Sequence, residues 1–166
     1  MKVKAGSLSL DSTDLRILHA LQGDARQTYT VIGEGLGIAH STVYDRIKRL
    51  EKYGIIKNYT ITIDNDKAGI RSVMAIMAVY TDPKESEAVA EKLSKVAEVL
   101  EVYMSLSEEL LIMVKAVAAD QESLHSFIAN FVAPLPGVLR IRTSIVTKKL
   151  KETFSSISNG SKSERL

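Results

Sequence analysis

Three short helical patterns fill the first 54 residues, and their arrangement limits the possible folds more than any other feature of the chain. Asp11 and Asp14 have the spacing of a capping box, which predicts a first helix that begins there and ends near Gly23. Thr28 is the predicted N-cap of a short second helix that continues to Leu36. The N-terminal part of the chain is therefore expected to be a small helical unit.

The third helix completes this unit. Gly37 permits a sharp turn after the second helix, and the third helix is predicted from His40 to Lys52. Val43, Ile47 and Leu50 recur at helical spacing and are expected to face the core. Three short helices with a tight turn between the last two predict a helix-turn-helix unit.

The outward positions of the third helix predict contacts with double-stranded DNA. Hydroxyl groups and a tyrosine near its N-terminus suit base edges and phosphate oxygens, whereas the later Arg and Lys side chains suit the phosphate backbone. A solvated, charged surface is the alternative for an isolated helix, but the preceding turn and short helix favour DNA. The predicted DNA-binding residues are His40, Ser41, Thr42, Tyr44, Arg46, Lys48 and Arg49.

The hydrophobic pattern changes after Gly54. Apolar and polar residues alternate at 55–63, which predicts a linker strand, and 64–71 is predicted to be a loop. From residue 72 the order of patterns is β-α-β-β-α-β, with Asp82 and Asp120 as the predicted N-caps of the helices. The predicted strands are 72–80, 99–105, 110–117 and 138–147. This order predicts a ferredoxin-like domain, in which two helices cover one face of a four-stranded sheet.

The fold class is therefore α+β, with a winged-type helix-turn-helix domain followed by a ferredoxin-like domain. Every residue from Val73 to Val79 is apolar, so both faces of that strand are expected to be buried, one of them against a second subunit. The second helix of this domain is predicted to carry its apolar residues on one face, and the last strand is predicted to carry Leu139, Ile141 and Ile145 on one side. The apolar residues of that helix are Leu124, Phe127, Ile128 and Phe131. The predicted organisation is a flexible N-terminus at 1–9, a DNA-binding domain at 10–54, a linker at 55–71, an oligomerisation and effector domain at 72–150, and a flexible tail at 151–166.

Composition excludes several classes of site. The chain has no cysteine, which excludes disulfides, thiolate zinc ligation and a cysteine nucleophile. The net charge of +2 is too small to indicate nucleic-acid binding by itself. The histidines lack the spacing of a metal site, so no metal, cofactor or catalytic residue is predicted. No signal-peptide core or membrane span is present, and a cytoplasmic protein is expected.

Three motifs occur in a fixed order along the chain: Leu10-Asp11-x-x-Asp14-x-x-Ile17-Leu18, Gly37-Ile38-x-x-Ser41-x-Val43-x-x-Arg46-Ile47-x-x-Leu50-Glu51-x-x-Gly54-Ile55-Ile56, and Leu135-Pro136-Gly137-Val138. Together they resemble the leucine-responsive/asparagine-regulator (Lrp/AsnC, feast/famine) transcription factors, from Leu10 to about Lys151. The resemblance implies that the third helix reads the major groove. It also implies homodimers that form through the C-terminal sheets and associate into tetramers or octamers.

The resemblance further implies a small-molecule effector site in the hairpin loop of the C-terminal domain, at Ser107, Glu108 and Glu109. The family usually has a Gly-x-x-Asp-like loop at these positions. Without the glycine the loop loses its freedom to adopt positive φ, and two acids would repel a ligand carboxylate. These departures argue against an amino acid as the effector.

Two other functions fit a chain of this fold. An architectural, weakly specific DNA-binding protein without a working sensor would be compatible with the altered loop, and weak discrimination between cognate and scrambled sites would support it. An enzyme resembling the siroheme decarboxylases would need a large apolar tetrapyrrole pocket with cationic or imidazole groups. The chain offers only three separated histidines, His19, His40 and His125. The sequence therefore favours a sequence-specific transcriptional regulator that is not an enzyme.

Overall fold

The computed structural model describes residues 9–65, 67–105 and 111–152. Contacts divide the described chain into two compact units, an N-terminal unit that ends at Thr62 and also includes Lys151 and Glu152, and a C-terminal unit, Ile63–Leu150. This division falls inside the predicted linker at 55–71, while the finer domain bounds stay predictions. Ser107, Glu108 and Glu109 lie outside the described residues, as do most of the two ends that were predicted to be flexible.

Capping interactions begin the helices of the N-terminal unit. Its helices are α1 (Ser12–Gly23), α2 (Tyr29–Leu36) and α3 (His40–Lys52). The Asp14 N–H donates to Asp11 Oδ1 at 2.8 Å, and the Asp11 N–H donates to Asp14 Oδ2 at 3.1 Å, which forms the predicted capping box. Thr28 Oγ1 accepts from the Val31 N–H at 3.3 Å at the start of α2. These contacts confirm the predicted starts of both helices.

Two glycines shape the turn between α2 and α3. Gly37 ends α2 in the left-handed conformation, with φ of 70°, as its position in the sequence predicted. Gly33 has a role that the sequence did not show, because a Cβ at this position would lie 2.7 Å from the Ile38 carbonyl oxygen. The backbone of α2 therefore packs directly against the turn. The buried core of the unit includes Ile17, Ile32, Val43 and Ile47.

The C-terminal unit has the predicted ferredoxin-like architecture. Its elements are β1 (Val73–Thr81), α4 (Ser86–Leu93), β2 (Val99–Ser105), β3 (Leu111–Ala118), α5 (Gln121–Phe127) and β4 (Val138–Ile145). The sheet order is β2-β3-β1-β4, and every neighbouring pair is antiparallel. Met77, Val79, Val89, Leu93 and Ile112 belong to the core between the sheet and the helices. The α+β fold class is confirmed.

The predicted linker strand at 55–63 is not formed. This segment contains neither helix nor strand, and Tyr59, Ile61 and Ile63 are exposed. A strand needs a neighbouring backbone to satisfy its N–H and C=O groups, and none of the described residues pairs with this segment. The described part of the N-terminal unit is consequently helical and carries no β wing.

The first helix of the C-terminal unit begins later than the sequence predicted. Asp82 does not cap it but closes a turn, in which its Oδ1 accepts from the Lys84 N–H at 2.9 Å. Glu85 is the N-cap of α4, and its backbone carbonyl accepts from the Val89 N–H at 2.9 Å. An Asp-Pro pair favours a tight turn as well as a helix start, and here the turn forms first.

Two local irregularities leave large apolar residues of the C-terminal unit exposed. A π-helical segment, Ile128–Val132, continues α5, and the Ala133 N–H donates to the Ile128 carbonyl at 2.8 Å. Its wider turn buries Val132 completely and leaves Phe131 39% exposed. Leu139 lies at a register shift between β1 and β4, has no partner on β1, and is 70% exposed. Phe131 and Leu139 are therefore more exposed than the residues with which the sequence pattern groups them, such as Leu124 and Ile141.

Candidate nucleic-acid interface

One helix, α3, carries all seven residues predicted to bind DNA, and its apolar face fixes their directions. Val43, Ile47 and Leu50 are fully buried, as the spacing predicted. His40, Ser41, Thr42, Tyr44 and Lys48 are exposed. Arg46 and Arg49 are partly buried. The seven residues therefore form an exposed group and a pair that lies beside the core.

The two arginines contact the start of α1. Arg46 Nη1 lies 2.9 Å from Asp14 Oδ1 and 2.6 Å from Asp11 Oδ2. Arg49 Nη2 lies 2.8 Å from Asp14 Oδ2 and 3.0 Å from Asp14 Oδ1. The Asp14 side chain is fully buried, and the hydrogen bond from Arg46 lowers the pKa of Asp11 to about 2. We call Asp11, Asp14, Arg46 and Arg49 the Asp14 cluster. The sequence did not predict this cluster, because the capping box already gives Asp14 a role within its own helix.

The opposite edge of α3 is lined by tyrosines. The rings of Tyr29 and Tyr44 meet edge to face with centroids 5.6 Å apart, and Lys48 Nζ lies 5.9 Å from the Tyr44 ring centroid. Lys48 Nζ also lies 2.8 Å from Glu51 Oε2, and the Tyr59 hydroxyl donates to Glu51 Oε1 at 3.0 Å. Glu51 thus connects α3 to the segment that follows it.

The outermost positions of α3 mix hydroxyls with charges. Ser41, Asp45, Lys48 and Lys52 lie roughly opposite the buried face, as helical periodicity requires. Lys52 forms no ion pair with any residue that the structure describes. It was not among the predicted DNA-binding residues, although the same periodicity places it on this surface. A helix with exposed hydroxyls and lysines and a buried apolar face is suited to the major groove.

The C-terminal unit exposes the sheet face opposite its helices, which we call the open sheet face. Ile76 and Met113 are 38% and 42% exposed there, and Tyr103 is 56% exposed. This face was expected to be apolar, but it also carries an ion pair, in which Lys115 Nζ lies 2.9 Å from Glu101 Oε1. The expectation considered β1 alone, whereas the neighbouring strands supply these charges. The remaining polar or charged residues include Ser105, Arg140, Arg142 and Ser144.

Comparison with known families identifies both halves of the chain. Residues 10–51 match the AsnC-type helix-turn-helix domain, and residues 74–156 match the Lrp/AsnC ligand binding domain. The chain belongs to the Lrp/AsnC family. The resemblance found in the sequence motifs is confirmed, and this Lrp/AsnC protein combines a DNA-binding domain with a ligand-binding domain.

Curated relatives of this Lrp/AsnC protein are transcriptional regulators. It is 39% identical over 142 residues to the HTH-type transcriptional regulator LrpA of Pyrococcus horikoshii, a match that covers 86% of this chain and 99% of the relative. It is 35% identical over 143 residues to the HTH-type transcriptional regulator Ptr1 of Methanocaldococcus jannaschii, covering 86% and 95%. The protein is thus a DNA-binding transcriptional regulator and not an enzyme.

Solved structures show the same architecture. A transcriptional regulator from Neisseria meningitidis, solved as a complex with L-Met, is 27% identical with a TM-score of 0.74, covering 89% of this chain and 96% of that one. Escherichia coli AsnC has the same fold, with a TM-score of 0.72 at 23% identity, covering 87% and 97%. In the described part of the chain, no helix is both long and apolar enough to cross a membrane.

Proposed function

We propose that this Lrp/AsnC regulator recognises a specific, pseudo-palindromic DNA site as a homodimer. Two copies of α3 would enter successive major grooves about one helical turn apart. The observation that carries the proposal is the surface of α3, where hydroxyls and lysines point outward while Val43, Ile47 and Leu50 are fully buried. The protein would act in the cytoplasm, together with the DNA that it regulates.

The exposed group on α3 supplies the proposed contacts. His40, Ser41, Thr42 and Tyr44 lie in its first turns, where they would face base edges and tune sequence preference. Lys48, with a side chain 52% exposed, would contact phosphate. The side chains of Arg46 and Arg49 are 26% and 40% exposed, so both also border the proposed DNA surface. Because both guanidinium groups contact Asp14, they could reach a phosphate or a guanine only at the edge of this contact or after the contact breaks.

Binding of the purified protein to its own upstream DNA and to a scrambled duplex, across a salt series, tests this proposal. Tighter binding to its own DNA by about 10³-fold or more, with a steep salt dependence, is expected of a specific regulator. Equal, salt-sensitive affinity for both duplexes would instead support the architectural alternative. An absence of binding to both duplexes at low salt would contradict any DNA-binding role for α3.

We propose that the open sheet face forms the homodimer interface. Met113 lies directly opposite Tyr103 in the sheet, and Ile76 lies on β1 diagonally across from Met113. Exposed apolar residues of this kind are typical of subunit contacts. Light scattering after size-exclusion chromatography should detect dimers or larger assemblies. Ile76→Glu should shift the protein to monomers, because it would bury a carboxylate in the interface. Lys92→Glu, on the exposed side of α4, adds the same side chain elsewhere, and an equal effect of both variants would refute the assignment.

We propose that an effector bound in the C-terminal unit acts by changing the assembly of dimers. The match to a ligand-binding domain supports this proposal. Glu108 and Glu109 in the effector loop would repel a carboxylate, so L-methionine and L-leucine are expected to leave the melting temperature unchanged. Stabilisation of the unaltered protein by either amino acid would contradict this part of the proposal. A double Gln variant at both positions should bind amino acids better if repulsion is the reason.

A further inference from the structure

Asp14 is the one fully buried ionisable side chain in the described part of the chain. Burying a carboxylate is costly unless its oxygens are well supplied with donors. Here Oδ1 receives Arg46 Nη1 and Arg49 Nη2, and Oδ2 receives Arg49 Nη2 and the Asp11 N–H, all within 3.1 Å. The carboxylate therefore has contacts at both oxygens, and two of its three partners are cations that belong to α3.

The positions of the two arginines give this contact a directional effect. Arg46 and Arg49 are three residues apart, so they attach α3 to α1 at two points about 4.5 Å apart along the helix axis. The apolar contacts of Ile17 with Val43 and Ile47 fill space, but they fix helix orientation less strictly than hydrogen bonds do. Two charged attachments on one carboxylate limit both the tilt and the rotation of α3.

The same contacts reduce what the arginines offer to DNA. Asp11 and Asp14 together balance the charges of Arg46 and Arg49, so the Asp14 cluster is close to neutral overall. A neutral cluster releases few counterions from DNA, and it contributes little to the salt dependence of binding. Lys48 also pairs with a carboxylate, that of Glu51, but its side chain is 52% exposed and water screens the pair, so Lys48 is better placed to act as a phosphate contact.

We propose that Asp14 is a positioning residue for the DNA-reading helix and that Arg46 and Arg49 act chiefly by holding α3 in the orientation that matches the specific site. This inference rests on the proposed function of α3. It changes the expected role of Arg46 from a direct reader of guanine or phosphate to a support for the residues that do read DNA. The pair of variants Asp14→Asn and Arg46→Lys tests it, with Lys48→Gln as a control for a direct phosphate contact.

Asp14→Asn and Arg46→Lys should each weaken binding to the protein's own upstream DNA about tenfold. The slope of affinity against salt should stay unchanged for Arg46→Lys, and it should become no shallower for Asp14→Asn, which leaves the two arginines with one carboxylate. Their binding to scrambled duplex should be equal or tighter, because neither variant loses a positive charge. Lys48→Gln should weaken both duplexes alike and reduce the salt slope by about one phosphate contact. The double variant of Asp14 and Arg46 should lose no more than the worse single variant, because the two residues act through one contact.

The proposal would be overturned if Arg46→Lys discriminated between the two duplexes as well as the unaltered protein does. It would also be overturned if Arg46→Lys, like Lys48→Gln, weakened binding to both duplexes alike and reduced the salt slope. Circular dichroism checks folding, and Arg46→Lys decides the matter if Asp14→Asn does not fold. If the unaltered protein shows no preference for its upstream DNA, the proposed function fails by itself. Hydrogen exchange without DNA then tests the positioning role separately, since both variants should exchange α3 amides faster, and unchanged exchange would refute it.

Discussion

Gly33 and Gly35 lie in the same helix, and replacing each by alanine should change stability in opposite directions. A Cβ at Gly33 would lie 2.7 Å from the Ile38 carbonyl oxygen and 3.4 Å from the His40 backbone nitrogen. A Cβ at Gly35 would meet nothing within 4 Å. Both substitutions remove the same backbone freedom from the unfolded chain, so only the local contact distinguishes them.

The magnitudes follow from these distances. Alanine at an unstrained helical position stabilises a protein by about 0.4–1 kcal/mol relative to glycine, and Gly35→Ala should show this gain. Overlap with rigid backbone costs about 1–3 kcal/mol, and at Gly33 the obstructing atoms are backbone atoms of the turn. Gly33→Ala should therefore be less stable than Gly35→Ala by about 1–3 kcal/mol. The turn must also shift, which would displace the start of α3 and weaken specific DNA binding.

Urea unfolding of the full chain, followed by the helical circular dichroism signal, measures the difference between the two variants. Hydrogen exchange of the α2 amides locates the effect in the N-terminal unit and separates it from changes in the C-terminal unit. Equal stabilisation by both substitutions would refute the reasoning, because it would mean that α2 does not pack against the turn through Gly33.

Three further predictions concern the other unit and the ionisable groups. Gly137 has φ of 90°, and a Cβ at this position would overlap Glu85. Gly137→Ala should therefore lower the free energy of unfolding, measured by urea titration, by about 2–4 kcal/mol. A loss below about 0.5 kcal/mol would contradict the geometry. The hydrogen bond from Arg46 lowers the pKa of Asp11 from 3.8 to about 2, so this carboxylate stabilises the fold above pH 3.8 and the contribution is lost as the pH falls through about 2. Asp11→Asn should flatten that part of the urea midpoint's pH dependence, and an unchanged curve would disprove the pairing. Partial desolvation of the hydroxyl and its hydrogen bond to Glu51 raise the pKa of Tyr59 to about 12. Ultraviolet titration should therefore show a late phenolate that Tyr59→Phe removes, and an unchanged titration of the variant would contradict this assignment.

Local signals predicted the helices of the N-terminal unit well. Asp11 and Thr28 cap helices through hydrogen bonds to residues three positions away, and Gly37 ends one through its own φ angle. Such interactions are complete within one turn of chain, so the residues that decide them are adjacent in the sequence. The order of strands and helices in the C-terminal unit was equally readable from hydrophobic periodicity.

Predictions failed where the deciding partner lies elsewhere in the chain or where the chain is irregular. The segment 55–63 alternates as a strand does, yet no described backbone pairs with it. Phe131 follows helical spacing, but the π-helical segment rotates it outward and brings Val132 into the core. Leu139 follows strand alternation, but the register shift leaves it without a partner. Predictions from periodicity assume a regular backbone, and they fail where an extra residue is inserted into a helix or a strand.

The family, the α+β class and the helix that we propose to face DNA could all be predicted from the sequence, because these predictions depend on periodicity and on motifs that are contiguous in the chain. Which cations of α3 are available to DNA could not be predicted in this way, because it depends on how α3 packs against α1. In the sequence, Arg46, Arg49 and Lys48 are equivalent cations on one helix. In the structure, Arg46 and Arg49 contact Asp14, which is 32 and 35 residues away in the chain, whereas Lys48 pairs with Glu51, three residues away. A charge pair depends on distance in space, and only the packing of α3 against α1 brings these groups within hydrogen-bonding distance.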